Sequence, residues 1–197
     1  FDREKIFIDK YLTRICKNFP SLRLVFEHIS TKDAVEFVIS SSSNVAATIT
    51  PQHAMLSRNN LLSGGIKPHN YCLPILKRET HQKAILQAAI SGNPKFFLGT
   101  DSAPHITSEK ESACGCAGVY SARTAIELYA EIFDNNEALD KLSDFSNKFG
   151  ADFYNLKYNQ EKIKLVRKEH QIPQQLEFHN HQITPFLAGH KIHWQIS

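Results

Sequence analysis

Apolar and polar positions along this chain switch between two periods, and the switches mark out its elements. Residues 2–18 carry Ile6, Phe7, Tyr11 and Ile15 at helical spacing, and Phe19-Pro20-Ser21 stops that helix. Residues 22–28 (LRLVFEH) are an apolar run finished by Glu27 and His28, which predicts a buried strand with polar groups at its carboxyl end. A Ser30-x-x-Asp33 cap pattern opens a helix over 30–40, and 40–44 reads as a turn. Residues 45–53 (VAATITPQH) are β-branched and end in Pro51, Gln52 and His53, a second strand with a polar terminus. A helix over 81–91, stopped by Gly92-Asn93-Pro94, leads into a third strand, FFLGTD at 96–101. Buried strand, polar terminus, helix: that recurrence is the signature of parallel βα units.

The intervening segments are less regular. Residues 54–80 contain Gly64, Gly65, Pro68 and Pro74 among Leu61, Leu62, Ile66, Tyr71, Leu73, Ile75 and Leu76, which predicts a long loop that is packed rather than loose. The loop at 102–118 is built of small residues. Residues 119–134 and 135–150 read as two helices, and 151–169 as a short connection and a further helix. The tail from Gln171 to Ser197 carries Pro173 and Pro185 and closes on an alternation, HKIHWQIS, with the sole tryptophan, Trp194.

Composition narrows the class. With 197 residues, 42% hydrophobic and 22% charged, the chain suits one core-forming domain or a large piece of a bigger one. A formal charge of +3 with no run of five basic residues gives no reason to expect nucleic acid. No apolar stretch approaches the roughly 18 residues of a membrane span, and the charged start, FDREKIFIDK, is not a signal peptide. That start has no Met and lies inside a helix pattern, so it reads as a cut end. Cys16, Cys72, Cys114 and Cys116 do not form a zinc-ribbon set, since Cys-Gly-Cys is too tight and has no second pair. They read as thiols of a reducing, cytoplasmic compartment.

The candidate chemistry sits where strands stop. Pro104 gives no N–H to a ladder, so Asp101 and His105 are held at the lip of the sheet, where parallel α/β folds place ligands and reacting groups. The plainer alternative makes Asp101 a helix cap and His105 a solvated loop residue. Imidazole and carboxylate at His28, His53 and Asp101 suit zinc, with Asp101 as ligand, general base or both. Spacing alone supports this only modestly, because no pair such as His-x-x-x-His is present. No Walker loop or G-x-G-x-x-G follows a strand.

Residue identity adds what periodicity cannot. FLGTDSAPH, KESACGCAG (110–118), VFEHISTKDA (25–34), ATITPQH (47–53), GGIKPHNYCLPILKR (64–78) and PFLAG (185–189) strongly resemble the single-function bacterial dihydroorotases of the amidohydrolase superfamily, in order and along the whole chain. The resemblance implies a TIM barrel with a binuclear zinc centre that interconverts N-carbamoyl-L-aspartate and L-dihydroorotate in pyrimidine biosynthesis. It implies that His28, ending the sixth barrel strand, binds the more exposed zinc. Asp101, ending the eighth, would bind the other, activate the bridging hydroxide and shuttle its proton to the amide nitrogen. His105 and the backbone of Ala117 would hold the substrate carboxylate, and the backbone of Leu73 the ring amide. His53 and His69 would then be structural or support the site from behind its ligands, and Cys114 and Cys116 would shape a loop; Lys77 and Arg78 could lend positive charge near a dianionic substrate, although a solvated basic pair is the plainer reading. Family members of this type are commonly homodimers, so the resemblance implies a homodimer when full length.

The chain departs from the family pattern in one large way. The His-x-His pair of the first strand, the carboxylated lysine of the fourth and the histidine of the fifth have no counterpart, and His179-Asn180-His181 lies in the polar tail. Residues 1–197 therefore read as the C-terminal part of an α/β barrel, strands six to eight with a tail, carrying two of six expected metal ligands and inactive alone. The alternatives are a non-catalytic dihydroorotase-like accessory subunit and a hydantoinase-type enzyme. The retained His28, Asp101 and His105 count against the first, and the CGCAG loop against the second.

Overall fold

The computed structural model describes residues 1–197. The chain begins with one helical rod, α1 (Arg3–Phe7) and α2 (Thr13–Asn18), joined through a π-helical turn at Ile8–Leu12. Then come β1 (Leu24–Phe26), α3 (Lys32–Ser40), β2 (Val45–Ile49), the short helices α4 (Pro51–Met55) and α5 (Asn59–Leu62), α6 (Glu79–Ile90) and β3 (Phe96–Leu98). The strands form one parallel sheet in the order β1-β2-β3, with Phe26 beside Ala47 and Ala47 beside Phe96. A parallel sheet needs cover on both faces, and β2 (VAATI) is buried at every position. One face carries the main core, where Val45, Ala47 and Ile49 meet Val38, Ile85, Phe96 and Tyr129. The other holds a small cluster of Ala46, Phe97 and Phe149. The outer edges of β1 and β3 have no partner strand.

Past the sheet, α7 (Thr107–Lys110) sits in the small-residue loop, α8 (Ala125–Asp134) packs on the core, and α9 (Phe149–Tyr154) follows a second π-helical turn. Then β4 (Leu165–Gln171) and β7 (Lys191–Ile196) pair antiparallel, and β5 (Leu176–Phe178) with β6 (His181–Ile183) forms a separate hairpin. The ribbon is tied to α8: Ile196 N–H donates to Glu127 at 3.0 Å and Trp194 Nε1 to Asp134 at 3.1 Å.

Several sequence expectations change. The second strand stops at Ile49, because Thr50 caps a helix, its side chain accepting from His53 N–H, and Pro51 fits the first helical turn. The cap of α3 is Thr31, accepting from Ala34 N–H, rather than Ser30. Val119 and Tyr120 make isolated parallel bridges to Ser102 and Pro185 instead of starting a helix. The helix expected within 151–169 ends at Asn155, which adopts the left-handed conformation (φ 57°), and 165–171 is strand. The segment 54–80 is packed only in part: Leu61, Cys72 and Leu76 are buried, whereas Leu62, Ile66 and Leu73 are exposed, and α5 occupies part of it.

Candidate active site

Two residues, one just after β1 and one just after β3, set the chemistry of one sheet edge. Both parallel strands point the same way, so His28 and Asp101 stand at the same, carboxyl-terminal edge with β2 between them. Each has φ of +42°, a left-handed conformation that non-glycine residues adopt at a cost of about 1–3 kcal/mol and that clusters at functional sites. Thr48 of β2 supports both ends. Its hydroxyl accepts His28 N–H at 2.6 Å, its carbonyl accepts Ile29 N–H at 3.2 Å, and a Cβ on Gly99 would lie 2.6 Å from its own Cβ. Gly99 therefore lets the two strands close up just before Asp101. Tyr129, fully buried, places its hydroxyl 2.5 Å from the Ile49 carbonyl and 3.1 Å from that of Gly99.

The donors at this edge fit a metal. His28 Nδ1 is buried and has no hydrogen-bond partner, a costly state for a ring nitrogen unless something else satisfies it. Asp101 is exposed, yet desolvation by its surroundings lifts its carboxyl above the usual carboxylate range, His28 pulling it down and Glu27 pushing it up. Imidazole and carboxylate together are donors that zinc accepts. His53 is elsewhere. It lies on α4, with Nδ1 2.7 Å from the Thr50 hydroxyl and Nε2 2.7 Å from the Pro74 carbonyl, so it is structural as expected. Burial lowers its pKa to about 4 and keeps the ring neutral.

A second group of expected residues meets beside α7. His105 Nε2 lies 3.2 Å from the Ala117 carbonyl, and Gly118 packs so tightly that a Cβ there would sit 2.4 Å from the Ala103 carbonyl oxygen. Gly118 N–H donates to the Tyr71 carbonyl at 2.9 Å, which brings the segment holding Leu73 alongside. The amides of Leu73, Cys116 and Ala117 donate to no group in the chain. Cys72, beneath them, has its thiol pushed up to about 12, first by burial and then by Asp101, and all four cysteines are free. His69 bonds outward to Glu111 at 2.9 Å and takes no part.

Relatives of known kind cover the chain throughout. It is 57% identical over 196 residues to a dihydroorotase of Idiomarina loihiensis, a match that takes in 100% of this chain and 57% of that one. In structure it resembles the dihydroorotase of Saccharomyces cerevisiae solved with 5-fluoroorotic acid, with a TM-score of 0.91, 34% identity, and 100% and 57% of the two chains covered. Over its whole length this chain resembles the C-terminal half of a dihydroorotase. It spans little more than half the length of the curated dihydroorotases it matches, 57% of the Idiomarina relative. A hydantoinase from a Thermus species shares the fold at TM-score 0.75 and 15% identity, over 93% of this chain and 44% of its own, which makes the sheet and its helices part of a TIM barrel. No family model matches the chain.

Of the expected basic pair Arg78 is exposed, but sequence reasoning misplaced Lys77 and missed a further residue. Lys77 is not a solvated base: it is buried, with Nζ 2.7 Å from the Ile75 carbonyl and 3.0 Å from the Ser30 hydroxyl. Ser30 in turn donates through N–H and hydroxyl to Glu4 at 2.9 and 2.7 Å, and the Thr31 hydroxyl donates to the same carboxylate. Burial lowers the Lys77 pKa against the pull of Glu4. The missed residue is Lys110. It is also buried, and burial lowers its pKa. No periodicity marks either lysine, because Lys77 opens a polar stretch and Lys110 lies within one, and a lysine in either place reads as surface.

Proposed function

We propose that this chain supplies one half of the active site of a zinc-dependent dihydroorotase, which interconverts N-carbamoyl-L-aspartate and L-dihydroorotate in pyrimidine biosynthesis. The observation that carries the reading is the pair His28 and Asp101, each at φ +42° at one sheet edge, with the buried His28 Nδ1 left without a partner. His28 and Asp101 would hold zinc, which when bound would supply Lewis acidity towards the scissile amide. Asp101 moves the proton. In ring opening it takes a proton from the attacking water and delivers it to the departing amide nitrogen, and in ring closure it returns it the other way. His105 and the unbonded amide of Ala117 receive the substrate carboxylate, and the unbonded backbone of Leu73 meets the ring amide. The remaining metal ligands come from an N-terminal portion, so the 197 residues alone turn over neither substrate. The working enzyme is a cytoplasmic homodimer.

The test is a ring-closure and ring-opening assay on the complete enzyme, this chain joined to an N-terminal half of the kind its relatives carry. Asp101→Asn lowers kcat by roughly 10²–10⁴-fold, the usual span of general acid–base catalysis, and the isolated chain shows no turnover. Full activity of Asp101→Asn, or turnover by the isolated chain, contradicts the reading.

A further inference from the structure

We propose that Lys110 is a positioning residue that sets the direction of the Ala117 amide and holds it against the Leu73 segment, by binding three backbone carbonyls at once. The inference rests on the substrate contacts proposed above and adds the group that arranges them.

Lys110 is the last residue of α7 and is 4% exposed. Its Nζ donates to the carbonyls of Cys116 at 2.7 Å, Gly118 at 2.8 Å and Tyr71 at 2.9 Å. An ammonium has three N–H donors, and all three are used. No carboxylate forms an ion pair with it, so the buried charge is balanced by backbone dipoles and by the face of the Tyr71 ring, whose centroid lies 5.7 Å from Nζ. A charge held in this way is costly to bury and persists only where the geometry of its partners is fixed.

Those partners flank both proposed substrate contacts. The Cys116 carbonyl and the Ala117 N–H belong to one peptide unit, which is trans, so the two bonds point in opposite directions. Fixing the carbonyl on Nζ turns the N–H away from the lysine, and that N–H donates to nothing in the chain. A charge-assisted bond at the carbonyl end also polarises the unit and makes the N–H a better donor to an anion. On the other side of Ala117, Gly118 is held at both ends, its N–H donating to the Tyr71 carbonyl and its carbonyl accepting from Nζ. The Tyr71 carbonyl, shared between Nζ and Gly118 N–H, locks the loop two residues before Leu73 to the loop of Ala117. One side chain thus sets the separation of the two backbone positions that receive the opposite ends of one substrate.

Lys110→Met in the complete enzyme tests this, read by amide hydrogen exchange of residues 111–118 and by steady-state kinetics. Exchange in 111–118 speeds up by about tenfold or more, while that of β2 does not change. The KM for N-carbamoyl-L-aspartate rises about tenfold and kcat changes less than about threefold, the pattern of lost binding rather than lost chemistry. Lys110→Gln, which retains polarity and part of the donor set, falls between the two and serves if the Met variant does not fold. Unchanged exchange in a folded variant overturns the proposal, as does faster exchange with an unaltered KM. If the unsubstituted complete enzyme turns over neither substrate, the dihydroorotase reading fails instead, and the exchange result still decides whether Lys110 orders the loop.

Discussion

Two buried lysines hold the loops of this site, and they are balanced in different ways. Lys77 reaches the Ile75 carbonyl and, through the Ser30 hydroxyl, the Glu4 carboxylate. Lys110 reaches three carbonyls and no carboxylate. The first belongs to a charge network that joins the opening helix to the turn just after His28. The second is a charge with no anionic partner, set over the Tyr71 ring, that shapes a backbone surface. Between them His53 grips the Pro74 carbonyl as a neutral ring, so the segment 71–75 is held at Tyr71, Pro74 and Ile75 by three side chains. The difference teaches that one mechanical task, fixing a loop by its carbonyls, has separate consequences for stability and for binding.

The largest effect should fall on the networked lysine. Lys77→Met leaves the buried Glu4 carboxylate without its cation and costs about 3–5 kcal/mol in urea unfolding. Lys110→Met strands only carbonyls and costs about 1–3 kcal/mol. Equal losses for the two would erase the distinction, and adding Glu4→Gln to Lys77→Met should recover part of the loss if the network reading is right.

The neutral member of the three gives the next effect, and its sign follows from its depressed pKa. Unfolded, His53 takes up a proton near pH 6.5; folded, it does so only near pH 4. The unfolded chain therefore binds more protons between those values, and stability falls as pH drops through that window, by up to about 3 kcal/mol. Replacing His53 with Gln should flatten that part of the stability–pH curve. A curve that keeps its slope in the variant would assign the loss to other groups.

The parts of this molecule that the sequence made readable are those governed by local pattern. The apolar runs at 22–28, 45–53 and 96–101 announced the parallel strands, and the polar residues ending them marked His28 and Asp101. What stayed hidden depends on distant partners. LVRKEHQ at 165–171 becomes strand because residues 191–196 supply its hydrogen bonds, a pairing that no window around it contains. Ser30 looked like a cap but serves Glu4, twenty-six residues away in the chain. Lys77 and Lys110 are buried for the carbonyls they meet, and a carbonyl leaves no mark in a sequence. The short α4 was the exception: Thr50 followed by Pro51 is a local start signal that the β-branched run before it obscured.

The most direct test of the account is the zinc content of the complete enzyme, measured with and without His28→Asn. The account predicts about two zinc ions per chain, falling to about one in the variant while the fold is retained. Two zinc ions in both proteins, or none in either, would contradict the assignment of the sheet edge between His28 and Asp101 as half of a metal centre.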